Sequence, residues 1–214
     1  MADSPCGFPS GWGPSARTMR LGAGVGGAFL CMLLAACSPE LNWRTVQVES
    51  AHGLTAMFPC KPDRFERKVP WPGLPSGVTM RLLSCRAQGH TWALSSVTMP
   101  DVTLAEPALR QWPDIMRHNL TQAASGDPSG LRMHDLGSID VPRMTPSRSA
   151  HAWYFEGPAR DGSGQAAPVG ILAWHFFHGM TVFQASVTGE PRGPAPQSSE
   201  DVAHAFFHSF QFPG

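Results

Sequence analysis

The chain has 214 residues with 16 basic and 16 acidic side chains, so its formal net charge is zero. A chain of this length folds as one or two domains. A near-neutral composition gives no electrostatic reason to bind nucleic acid or anionic lipid, and nucleic acid is therefore not an expected partner.

The N-terminal part of the chain has the features of an export signal. An uncharged, mostly apolar run follows Arg17 and Arg20; this order is typical of a secretory signal, and the run is too short to span a bilayer comfortably. It ends at residues 34–37, Leu-Ala-Ala-Cys, which resemble the lipobox of bacterial lipoproteins. The resemblance implies that residues 1–36 are a signal peptide and that Cys37 is lipidated and attached to a lipid bilayer. An uncleaved signal anchor is the alternative.

The residues around the lipobox give further expectations. Residues 1–18 contain three prolines and a tryptophan, which is unusual for the start of a leader, so we expect Met19 to be the true start. Residues 37–42 would be a short lipidated tether on the periplasmic side, and residues 43–214 a single domain. Ser38 follows the cysteine where enteric-type lipoproteins retained at the inner membrane carry Asp, which favours the outer membrane.

Cleavage before Cys37 would leave three cysteines in the mature chain. With Cys37 blocked by lipid, Cys60 and Cys85 remain as one pair in an oxidising compartment, which predicts a disulfide. The alternatives are two free thiols or a metal site. A zinc site needs three or four ligands at close spacing, and no histidine pair lies near these cysteines.

The first half of the domain is predicted to contain two hairpins. Residues 43–50 alternate and are rich in strand formers, and a turn at 51–53 leads into a second strand. Residues 61–77 contain four prolines, which predicts a loop. Strands are expected at residues 43–50, 54–59, 78–87 and 90–99.

A helix is predicted next, followed by more strands. Thr103 and Glu106 match a capping box, and apolar residues then recur at helical spacing. Pro113 predicts a kink or a restart. Strands are expected at residues 131–141, 147–156, 169–177 and 180–188, with loops at 157–168 and 189–197, a helix capped by Ser198 and an edge strand at 210–212. The two most apolar strands, 169–177 and 180–188, should be central and antiparallel. This order predicts an α+β fold, an antiparallel sheet with two main helices packed on it.

Two short motifs carry a resemblance. Residues 57–62 (Met-Phe-Pro-Cys-Lys-Pro) and 205–210 (Ala-Phe-Phe-His-Ser-Phe) resemble segments of the PsbP-like α/β/α sandwich, which many small bacterial lipoproteins share. The resemblance covers about residues 43–213 and implies a sheet covered by helices, usually in a binding or assembly accessory. It carries over no catalytic residue, and the Cys60/Cys85 pair is not part of its pattern.

The sequence offers no recognisable catalytic or metal motif. G-x-S-x-G, S-x-x-K, P-loop and H-E-x-x-H patterns are missing. His204 and His208 share a helix face, but no third ligand completes a site. His175 and His178 should face opposite sides of a strand. We therefore predict no enzyme activity, no metal and no cofactor.

Trp71 is the candidate contact residue. It lies in an apolar, proline-rich segment, residues 69–75, and exposed aromatic anchors suit interfaces. The alternatives are that it folds back over the sheet or touches a membrane.

Three functions follow from these features. The first is a membrane-anchored, non-enzymatic accessory that binds an envelope protein or another envelope component. The second is a small-ligand or lipid-binding domain, which needs an apolar pocket above about 300 Å³ between sheet and helix, on the side of Trp112. The third, an envelope hydrolase, needs polar groups with shifted pKa values converging in a cleft.

Overall fold

The computed structural model describes residues 41–48, 52–124, 129–160, 166–191 and 200–214. They belong to one unit, Pro39–Gly214, and form two antiparallel sheets, a long helix and a short one. The strands are β1 (Arg44–Val48), β2 (Leu54–Phe58), β3 (Asp63–Trp71), β4 (Leu74–Ala87), β5 (His90–Thr98), β6 (Arg132–Ser138), β7 (His151–Arg160), β8 (Ala166–His178) and β9 (Thr181–Gly189). The helices are α1 (Ala105–Ala123), which follows a 3-10 turn at Val102–Leu104, and α2 (Glu200–Phe207). The predicted α+β class is confirmed. Among the described residues, no helix is long and apolar enough to cross a membrane.

The strands divide between a large and a small sheet. Seven of them pair in the order β3-β4-β5-β9-β8-β7-β6, while β1 and β2 pair only with each other as strands. The predicted central, antiparallel placement of the two most apolar strands is confirmed, since β9 lies between β5 and β8. Residues 210–212, predicted as an edge strand, contribute only one bridge, between Thr55 and Gln211.

The loop predicted at residues 61–77 is wrong, because β3 and β4 form a long hairpin there. The prolines fall where a strand does not need the missing N–H. Pro70 sits at an irregularity of an edge strand, and Pro72 lies in the tight turn between the two strands. The loop predicted at 157–168 is likewise shorter, since β7 continues to Arg160 and β8 begins at Ala166.

The predicted start of the long helix is also wrong in detail. Thr103 belongs to the 3-10 turn, where the Asp101 carboxylate accepts a hydrogen bond from its N–H at 2.7 Å. Glu106 does not complete a capping box; it accepts hydrogen bonds from the hydroxyls of Ser147 and Ser149 instead. The helix neither stops nor restarts at Pro113.

The large sheet has two differently covered faces. The α1 face is covered by α1 over β7, β8 and β9, and its buried cluster includes Val97, Leu109, Trp112, Phe155 and Val182. The α2 face is covered by α2, the β1–β2 sheet and the C-terminal segment, and its cluster includes Phe58, Trp92, Phe176, Phe183, Phe206, Phe210 and Phe212. The helices are therefore not arranged as expected: the short α2 shares its layer with a separate two-stranded sheet.

The predicted Cys60–Cys85 disulfide is confirmed, with Cα atoms 6.0 Å apart. Cys60 follows β2 and Cys85 lies in β4, so the bond joins the small sheet to the large one. Both cysteines belong to the packing of the α2 face. Closing a loop of this length stabilises a fold by about 3 kcal/mol in the chain-entropy model.

Candidate functional site

The β3–β4 hairpin extends beyond the rest of the sheet. In β4, pairing with β5 begins at Met80, which lies opposite Val97, while the tip of the hairpin pairs only with itself. Gly77 permits this shape, because its φ is +65° and a side chain there would collide with the Val69 carbonyl oxygen. The tip therefore reaches past β5.

Trp71, at the end of β3, joins this tip to the helix. Its ring packs edge to face against Trp112 of α1, with centroids 5.4 Å apart, and only 5% of Trp71 is exposed. Trp71 is thus not the exposed contact residue that the sequence favoured. It lies within the sheet as the last residue of β3 and packs against α1, so it does not fold back over the sheet from a loop either.

A groove lies between α1 and the hairpin because α1 packs over β7–β9 and leaves the β3–β4 end of the same face open. The groove encloses about 770 Å³. Its lining comes from three elements and includes Arg67, Val69, Trp71, Met80, Ile115 and His118. Apolar side chains are interleaved with polar ones, which is the usual make-up of a small-molecule site.

The charges of the groove are not balanced. Arg67 is exposed and projects to the α1 face opposite Met80, whereas Lys68 alternates to the other face. Arg67 forms no ion pair within the described part of the chain. Asp114 is the one carboxylate that lines the groove, and it is already paired with Arg117 at 3.0 Å. The unpaired charge at this end of the α1 face is therefore positive.

A buried histidine lies behind the groove. The imidazole of His175 is fully buried and stacks on Trp112, with ring centroids 6.1 Å apart. Its Nε2 lies 3.3 Å from Oε1 of Gln184, while its Nδ1 has no partner. Burial disfavours the charged ring and lowers the pKa of His175 to about 3. The ring is neutral at ordinary pH, and Trp112 lies between it and Trp71 at the groove.

A second polar group, Asp135 and His151, lies towards the opposite edge of the sheet. The carboxylate contacts His151 Nδ1 at 2.8 and 2.9 Å. Burial opposes ionisation of Asp135, but hydrogen bonds from the Gly137 N–H and from His151 outweigh it and hold the pKa of that carboxyl below its usual value. Among the described residues, no hydroxyl or thiol is hydrogen-bonded to His151, so the pair does not form a nucleophile–base arrangement.

The other residues named from the sequence are placed as follows. Cys37 lies outside the described residues, as do Met19, Ser38 and the predicted cap Ser198. His204 and His208 are exposed and stack with centroids 3.9 Å apart. In the described ranges, no three histidine, cysteine, aspartate or glutamate side chains are grouped so that they could hold a metal ion.

The groove itself was not predicted from individual residues. Arg67 and Met80 lie opposite each other in the β3–β4 hairpin. The prolines in residues 61–77 favoured a loop there, so this pairing could not be predicted from the sequence. His175 was also missed as a buried polar group. The only signal for it was its place in the most apolar strand, where alternation puts it on the same face as Ala173 and Phe177.

No family model matches the chain, and no curated protein matches it. Among solved structures, the chain is similar to a crystal structure from Bacteroides thetaiotaomicron VPI-5482, with 12% sequence identity and a TM-score of 0.38. The match covers 77% of this chain and 47% of the other, so this chain spans about half the length of that protein. At this level of similarity the match assigns neither a family nor a function.

Proposed function

We propose that this chain is a lipoprotein of the bacterial envelope that binds a small, largely apolar molecule and does not transform it. The observation that carries the proposal is the groove of about 770 Å³ between α1 and the β3–β4 hairpin. Its volume lies within the range of about 300–1,000 Å³ that is typical of small-molecule sites. It also lies between sheet and helix, on the side of Trp112, where a ligand-binding domain was expected to have its pocket.

A small ligand fits these features better than a protein partner does. The partner hypothesis placed its contact at an exposed Trp71, and that residue is buried. The exposed large apolar side chains of the described residues are spread over β2, β3, the 3-10 turn, β6 and the β8–β9 turn: Met57, Phe65, Val102, Met133, Leu136 and Met180. Single exposed apolar residues are ordinary on a soluble surface, whereas a protein interface normally needs a contiguous patch.

The membrane location rests on the sequence around Cys37. The lipobox-like residues 34–37 predict acylation of that cysteine, and Ser38 after it favours the outer membrane. Six tether residues, 37–42, span at most about 20 Å, which would hold the domain close to the bilayer. A PsbP-like sandwich of an accessory protein is part of the same proposal, and covering layers on both faces of the large sheet are consistent with it.

Binding of a neutral apolar dye tests the groove. The full-length chain carrying Cys37→Ser, which removes the acylation site, is titrated with N-phenyl-1-naphthylamine. We expect the dye fluorescence to rise and saturate, with a stoichiometry of one dye molecule per protein chain. Gln111→Trp places a bulky ring in the groove from an exposed position on α1 and should weaken binding at least tenfold.

The matched control is Gln122→Trp, an exposed glutamine on the same helix that does not line the groove. It should bind the dye like the parent chain. No saturable binding, or equal loss in both variants, would contradict a binding site in this groove.

Mass spectrometry of the protein from a bacterial membrane tests the anchor. We expect the mature N-terminus to begin at Cys37 with an acyl-glyceryl mass added to it. Cys37→Ser should lose that mass. An unmodified Cys37, or a retained leader, would refute the lipoprotein assignment and leave the groove proposal unaffected.

A further inference from the structure

The charge of the groove indicates the chemical class of its ligand. The protein has a formal net charge of zero, yet Arg67 projects to the groove without an ion-pair partner in the described chain. The neighbouring Glu66 does not neutralise Arg67, because it is bonded to Arg81 at 2.8 Å on the α2 face of the sheet. A ligand with a negative group would supply the missing partner.

The β3 wall of the groove is aromatic at one end and charged at the other. Trp71 meets Trp112 at one end. Along β3, Arg67 is four residues from Trp71, or roughly 13 Å at the rise of a strand. Along α1, His118 is six residues from Trp112, or about 9 Å at the rise of a helix. The β3 wall therefore changes from aromatic to cationic, while the α1 wall carries polar residues along its length: Gln111, Asp114 and His118.

The side chains between these ends are mostly apolar. Val69 and Pro70 belong to the β3 wall, Ile115 to the α1 wall, and Met80 lies opposite Arg67 in the strand register, so both project to the α1 face. Val69, Met80 and Ile115 are half-buried and pack against the buried cluster of that face. This arrangement fits a single apolar chain that runs from the tryptophans to the arginine.

We infer that the groove binds a free, single-chain anionic amphiphile of medium length, with its tail against Trp71, Val69 and Ile115 and its acidic head at Arg67. This inference rests on the proposed function and adds the chemical class of the ligand to it. The occupant is a monomer in solution and not the surface of a bilayer, because the groove holds one chain between a helix and a hairpin.

The test compares two ligands that differ only in the head group. Sodium decanoate and 1-decanol, both kept below the concentrations at which they aggregate or separate, displace N-phenyl-1-naphthylamine from the full-length Cys37→Ser chain. We expect decanoate to bind at least tenfold more tightly than decanol at low ionic strength. The preference should shrink as salt is added, because the head group is partly exposed to solvent.

Variants of Arg67 test whether this residue causes the preference for decanoate over decanol. Arg67→Glu should abolish the advantage of decanoate and leave decanol affinity unchanged, while Arg67→Lys should keep most of it. The control is Arg64→Glu, which makes the same charge reversal on the same strand but projects to the other face. It should change neither affinity. Because both arginines are exposed, the variants are expected to fold normally, and circular dichroism checks this.

The outcomes separate this inference from the function beneath it. Equal binding of decanoate and decanol would overturn the anionic ligand while leaving a binding groove. An equal effect of Arg64→Glu and Arg67→Glu would overturn the assigned position of the head group. Binding to anionic vesicles without displacement by monomeric decanoate would overturn the single-chain ligand. Failure of the dye itself to bind would overturn the proposed function.

Discussion

The two faces of the large sheet are buried in different ways. On the α2 face, aromatic rings from the sheet, from α2 and from the C-terminal segment contact one another, and Phe206 packs on Phe58 and Trp92 at 5.2 and 5.4 Å. On the α1 face, one helix covers three strands, a neutral histidine lies beneath it, and the end near β3 stays open. The comparison indicates that the aromatic-rich α2 face supplies stability, while the α1 face supplies the candidate binding site.

Truncating the centre of the α2 face should have the largest effect. Phe206 is fully buried, so Phe206→Ala should lower the free energy of unfolding by about 3–5 kcal/mol. Phe65→Ala is the control, because that ring is 56% exposed on the edge strand β3, and its cost should be within about 0.5 kcal/mol. Urea unfolding followed by circular dichroism measures both. Similar losses for the two variants would remove the distinction between the faces.

The buried histidine gives the α1 face a dependence on pH. The pKa of His175 is lowered to about 3 by burial, whereas the unfolded chain binds the proton near pH 6.5. As the pH falls below 6.5, the unfolded state takes up a proton that the native state does not, so the free energy of unfolding falls. Burial of the neutral ring therefore lowers the free energy of unfolding by about 2 kcal/mol when the pH falls from 6.5 to 5.

The variant His175→Gln isolates this contribution from other titrating groups. Its stability is compared with that of the parent chain at pH 6.5 and pH 5 by urea unfolding. The parent should lose more stability over that interval, by about 2 kcal/mol. The control is His204→Gln, an exposed histidine on α2, which should keep the parent's pH dependence. A His175→Gln chain with an unchanged slope would show that burial of this ring does not govern the response.

The smallest effect on stability is expected in the open end of the α1 face. Met80 is half-buried in the groove, so Met80→Ala should cost about 1 kcal/mol, less than truncation of a fully buried methionine. It should nevertheless weaken dye binding several-fold, because the side chain contributes to the groove floor. Met57→Ala, on a 36% exposed residue of β2, is the control and should leave dye binding unchanged. A large loss of stability with intact binding would reverse the proposed roles.

The sequence predicts best those parts of the fold that depend on short-range pattern. The apolar runs of β8 and β9 meet at a turn with Gly179, whose φ is positive, and they pair as expected. Gln88 and Gly89, both with positive φ, likewise join β4 to β5. The disulfide followed from counting, because Cys60 and Cys85 are the pair that remains when Cys37 is lipidated.

The parts that sequence could not predict depend on tertiary position. Whether Pro70 breaks a strand depends on whether that strand lies at the sheet edge, and nothing local states that it does. Glu106 had a suitable local partner in Thr103, yet Ser147 and Ser149, some forty residues away, bind it instead. The groove forms from the hairpin together with the placement of α1, so no single sequence motif could predict it.

The two edges of the large sheet have a consequence for how copies of the protein behave beside one another. Exposed backbone at an edge strand can pair with a second chain and lead to aggregation. On β3, the charged residues Arg64, Glu66 and Lys68 and the proline at position 70 oppose such pairing. On β6, a bulge at Leu136, held by a 2.8 Å hydrogen bond from the Gly137 N–H to Asp135, interrupts the ladder. Both edges of the large sheet are therefore protected against strand-to-strand pairing with a second copy of the chain.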